Sequence, residues 1–253
     1  MLDLLLPAGL EPFHLLALAA LSFVTSLITA TFSLGGGTLM LAVLALVFPP
    51  AVVVPVHGCI QLGSNGGRAI VQRAHIQWHL ILWISLGAAL GTMLGGQFVA
   101  VLPEHLFTIA IGVFVLVTTW LPQPKFVGEN RPMQFIGGAI ISALSMVVGA
   151  TGPLLATLIR GIADRRDLVA THAMLMTLLH GFKVIAFTTL GFAFSSYLPM
   201  ILIMIVAGFA GTALGSHLLV RVPERVFRIG FKLILTVVAL DLIRGAIFPS
   251  AAL

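Results

Sequence analysis

Across 253 residues the chain is 59% hydrophobic and only 8% charged, whereas an ordinary soluble domain carries about 25% charged residues; this leaves no room for a soluble catalytic domain. The formal charge of +5 does not point to nucleic acid, because no basic run exceeds Arg165-Arg166 and aromatic residues do not interleave with the basic ones. Cys59 is the single cysteine, which excludes a disulfide framework or a cysteine metal site within one chain.

The first apolar stretch, residues 13–33, has no Lys or Arg ahead of it, unlike a cleavable leader, and reads as a first membrane helix. A glycine tip, Leu34-Gly35-Gly36-Gly37-Thr38, opens a second stretch at 37–50. From Thr38 to Phe48 a helix reaches only about 16 Å, roughly half of a 30 Å hydrocarbon core. It is read as a half-helix. The third stretch, 51–73, carries His57, Gln61 and Asn65 on one helix face at fourfold spacing and ends near Arg68 and Arg73. The fourth, 78–101, contains Gly91-Thr92-Met93-Leu94-Gly95, a small-residue spacing that permits close helix crossing. Pro103-Glu104 precedes the fifth, 105–120, and the acid complements a helix N-terminus.

Residues 122–131 are the most polar and proline-rich stretch and predict a linker between a first unit, 1–121, and a second, 132–253. Apolar segments then recur at 132–149, 153–160, 168–194, 197–220 and 226–247. Long continuous runs, rather than short alternating ones, predict an all-α membrane protein and not a barrel. The halves are related: at an offset of 115 residues Gly37 falls on Gly152, His57 on His172 and Arg68 on Lys183. At an offset of 120, Gly91-Thr92-Met93-Leu94-Gly95 falls on Gly211-Thr212-Ala213-Leu214-Gly215, and Pro103-Glu104 on Pro223-Glu224.

Whether the first segment crosses fully or forms a re-entrant hairpin, segments one and two together return the chain to its starting side, so three crossings remain and each half is odd. Two inverted-topology repeats are therefore expected. Ten of the 13 basic residues gather in four connections, at 68–73, 125–131, 160–166 and 221–228. Placing those inside puts the N-terminus and the Lys- and Arg-free connections outside.

The glycine-opened half-helix, the Thr- and His-bearing helix after it and the duplicated GTxLG helix together resemble the TauE/SafE sulfite exporter family over nearly the whole chain. The second tip departs from the pattern, reading Gly149-Ala150-Thr151-Gly152-Pro153 where a fuller glycine run is typical. The resemblance implies a bacterial inner-membrane carrier of sulfite or an organosulfur anion, with no nucleotide-binding domain and no cofactor.

A half-helix that starts inside the membrane aims free backbone N–H groups and a positive dipole end at whatever precedes it. Gly35, Gly36, Gly37 and Thr38, facing Thr151 and Gly152, are therefore read as an oxyanion cradle; the alternative is close packing of small residues. Lys183, between apolar runs, is a functional candidate because a charge there is expensive. Arg68 stands near a segment end, where a substrate contact and a snorkelling side chain both fit. On this basis Lys183→Met is expected to hurt transport more than Arg68→Met. His57, His172 and His180 are candidates to donate to an anion or to follow a proton, or else are core residues. Gln61 and Asn65 suit a solute or another helix equally. The runner-up is an intramembrane metalloenzyme using the three histidines, with no HExxH motif to support it. A cation channel lacks the acidic ring it needs.

Overall fold

The computed structural model describes residues 11–32, 35–99, 102–121, 128, 130–218 and 224–248. Leu34 of the first tip, most of the 122–131 linker and residues 221–223 lie outside the described residues. Within them the chain is helical and contains no strand. The first half supplies α1 (Pro12–Phe32), α2 (Gly36–Val47), α3 (Pro50–Val71), α4 (Trp78–Val99) and α5 (Glu104–Trp120). The second supplies α6 (Arg131–Val148), α7 (Gly152–Leu158), α8 (Arg165–Thr189), α9 (Leu198–Leu218) and α10 (Glu224–Ile247).

Local chemistry sets several of these boundaries. Asn130 accepts the Met133 N–H and Pro132 occupies the first turn, so α6 starts there. Asp164 accepts the N–H groups of Asp167 and Arg166 at the head of α8. Those bonds hold its carboxyl below the ordinary carboxylate range. Gly149, at φ +80°, ends α6 in a conformation that favours glycine.

Among the described residues five helices are long and apolar enough to cross a membrane, and large apolar side chains such as Leu82, Leu86 and Met93 on α4 and Leu202 and Val206 on α9 point outward. The protein is a multi-pass membrane protein. The two second helices are different. With 12 and 7 residues, α2 and α7 reach about 18 and 10 Å, short of a 30 Å core.

The packing pairs remain the same when the halves are exchanged. α4 packs on α6 as α9 packs on α1, while α3 packs on α8 and α5 on α10. Glycines make the first two crossings close. A Cβ on Gly91 would lie 2.0 Å from the Ala139 carbonyl oxygen and one on Gly95 2.6 Å from that of Ala143. At the other crossing, a Cβ on Gly211 would lie 2.1 Å from Phe23 O and one on Gly215 2.7 Å from Leu27 O. Each crossing therefore sets backbone against backbone at two positions four residues apart.

Candidate functional site

On α3, His57, Gln61, Asn65 and Arg68 recur at spacings of four, four and three, which places them in one stripe of the helix. That stripe faces the start of α2. Gly35 adopts φ +102° just ahead of it, and the Gln61 amide covers Gly37 so closely that a Cβ there would sit 2.3 Å from Nε2. Asn65 Nδ2 donates to Gln61 O at 2.9 Å. His57 Nε2 lies 3.0 Å from Gly37 O. In the second half His172 Nε2 lies 3.0 Å from Gly152 O, again across 20 residues.

Between the two tips is a cavity of about 40 Å³. Of the residues singled out in the sequence, Gly35, Gly37, Thr38, His57, Gln61, Asn65, Arg68, Gly152 and His172 line it. Ala150 and Pro153 of the second tip complete the wall together with Thr29 and Met176, two residues that the sequence did not single out. Among the described residues no carboxylate lines the cavity. Thr29 and Arg68 also line a wider chamber of about 340 Å³, shared with Ser64, Gly67, Gln72 and Phe209.

Four of the expected residues lie outside this wall. Gly36 is buried against α1, where a Cβ would meet Thr25 O at 1.9 Å. Thr151 is buried with its hydroxyl unpartnered. His180 is buried edge-on to His57, ring centroids 5.8 Å apart. Lys183, 1% exposed, donates from Nζ to Gly149 O at 2.6 Å. It fastens the turn that leads into α7. Among the described residues no three His, Cys, Asp or Glu side chains are grouped to hold a metal ion.

Chemically, the wall offers an arginine, two side-chain amides, two threonine hydroxyls and the first turns of two helices, with no anionic group among the described residues to compete. Such a wall suits an anion. A family model described as sulfite exporter TauE/SafE matches residues 18–242, spanning both halves and the whole cavity. No curated protein and no solved structure gives a significant match. The chain belongs to the TauE/SafE family.

Proposed function

We propose that this TauE/SafE protein exports a small sulfur oxyanion, sulfite or an organosulfonate, across the bacterial inner membrane by way of the cavity between its two half-helices. The observation that carries this reading is the composition of the wall: repeat-equivalent glycine tips, Arg68 and two amides line one space with no carboxylate among the described residues. A buried water needs about 10–15 Å³, so the cavity has room for roughly three water-sized positions. A compact oxyanion stripped of its hydration shell matches that size. Arg68 supplies the charge, Gln61, Asn65 and Thr38 supply directed hydrogen bonds, and the first turn of α2 adds its dipole.

Moving one negative charge outward down the membrane potential releases about 2.3 kcal/mol per 100 mV, so the driving force needs neither nucleotide nor coupled ion. The wider chamber supports loading from the Arg68 side, and the basic connections support reading that side as cytoplasmic. At the repeat-equivalent positions of Ser64, Gly67 and Arg68 stand Leu179, Phe182 and Lys183, of which Leu179 and Lys183 are buried. Bulkier residues thus stand at two of the three equivalent positions in the second half. Flux of radiolabelled sulfite in proteoliposomes tests the reading: efflux should accelerate when the potential is made inside-negative, and indifference to the potential would overturn electrogenic export.

The exchangeable packing pairs and the opposite charge of corresponding loops support halves inverted in the membrane plane. Single cysteines introduced into a Cys59→Ser background should report it. A cysteine at His105 should label only from outside, and one at 221–228 only from the cytoplasm; labelling of both from one side would contradict inversion.

The tip itself gives a sharper test. In Gly37→Ala the new methyl meets the far end of the flexible Gln61 side chain rather than backbone, so the protein should insert normally. It should displace the amide and lose about one hydrogen bond's worth of anion affinity, a rise in KM of roughly threefold to tenfold. An unchanged KM would remove Gln61 and the first tip from the site.

A further inference from the structure

Two hydrogen bonds in the cavity wall are copies of one another. Each joins an imidazole Nε2 on the third helix of a half to the carbonyl of a first-turn glycine on its short helix, at 3.0 Å. A backbone carbonyl only accepts, so each Nε2 carries the proton, and in the neutral ring Nδ1 is left as a bare lone pair. Neither short helix has a side-chain cap at its N-terminus. Helices of 12 and 7 residues are too short to hold themselves together, since isolated helices below about 12–15 residues are marginal.

We infer that His57 and His172 are positioning residues: as Nε2–H tautomers they fasten the two glycine tips in place, and neither ring donates an N–H to the transported anion. This rests on the reading of the cavity as an anion seat. It moves the work of recognition to Arg68, Gln61, Asn65 and Thr38, which line the same space. His57 Nδ1 is buried without a partner, as a bare acceptor would be, and its ring faces His180 of α8, with Lys183 one turn further along. A carrier that passed protons through His57 would need Nδ1 to gain one. The tip bond already occupies the only ring proton that the neutral form has.

Nitrogen-15 histidine spectra of the full-length protein in lipid nanodiscs test this directly, because long-range ring couplings identify the tautomer. Of the eight histidines, at least two should be Nε2–H tautomers that remain so in saturating sulfite. Loss of their signals in His57→Gln and His172→Gln assigns them. Fewer than two such rings, or an Nδ1–H on either ring in the presence of sulfite, overturns the inference. If sulfite binds nowhere, the anion-seat reading fails while the anion-free spectrum still decides the tautomer.

Transport provides a second readout. A glutamine amide sits the same number of bonds from Cα as Nε2, so His57→Gln should keep the wild-type pH profile and outperform His57→Leu. The Leu variant should lose about threefold to tenfold in apparent affinity. A pH profile that flattens in His57→Gln would assign the ring a transported proton instead.

Discussion

Arg68→Met is expected to insert normally and to lose most anion transport. Among the described residues Arg68 is the one cation in the cavity wall, and it also borders the wider chamber, so an anion loaded from that side meets it on the way in. Hydrogen bonds to charged groups contribute about 1.5–3 kcal/mol each, and a loss of 2–3 kcal/mol corresponds to roughly a 30- to 150-fold fall in apparent affinity. Arg68→Lys should recover part of it, keeping a point charge but not the two-pronged guanidinium. Arg244→Met is the control, since Arg244 is exposed and pairs with Asp241 at 2.6 Å. Apolar flanks alone rank Lys183 above Arg68. The cavity wall reverses that order, because Lys183 spends its Nζ on Gly149 O, outside the wall. Proteoliposome flux per inserted molecule should therefore fall further in Arg68→Met than in Lys183→Met, and the opposite order would return the anion contact to Lys183.

Gly91→Ala is expected to damage the fold more than any change in the cavity. Its Cβ would lie 2.0 Å from the oxygen and 2.7 Å from the carbon of the Ala139 carbonyl, and no side-chain rotation relieves a clash with backbone. α4 and α6 would have to separate, which also strains the Thr92–Ser142 hydroxyl pair at 2.7 Å. Overpacking costs about 1–3 kcal/mol, with backbone clashes at the upper end. A lower unfolding midpoint and a smaller inserted yield should follow, with transport per folded molecule kept. Gly96→Ala, on the same helix but with nothing nearer than 3.8 Å, should behave as wild type. Equal midpoints for the two variants would mean that the crossing is looser than described.

Much of this architecture was legible because membrane helices announce themselves by apolar length. The short second segments, expected at 37–50 and 153–160, are α2 at Gly36–Val47 and α7 at Gly152–Leu158. The start of α8 was missed by three residues because its boundary is a cap, Asp164, rather than a change in hydropathy. Residues 190–194, expected within the same segment, lie beyond the helix, where Gly191 turns the chain at φ +88°. Fourfold spacing revealed the α3 stripe, since residues on one helix need only helical geometry to be placed together. Thr29 and Met176 were not legible as neighbours of that stripe. They come from α1 and α8, and which helices meet depends on backbone contacts such as Gly211 against Phe23 that one sequence does not display. Nor did the sequence distinguish a histidine that touches cargo from one that bonds a glycine carbonyl. That distinction lies in a 3.0 Å bond and in which atom can donate.

Equilibrium binding of radiolabelled sulfite to purified protein tests the central claim, that the cavity between the glycine tips is the anion seat. Wild type and Arg244→Met should bind saturably with the same affinity, and Arg68→Met should lose about 30-fold or more. Equal binding by all three proteins would place the anion elsewhere, and the absence of saturable binding in wild type would contradict the account itself.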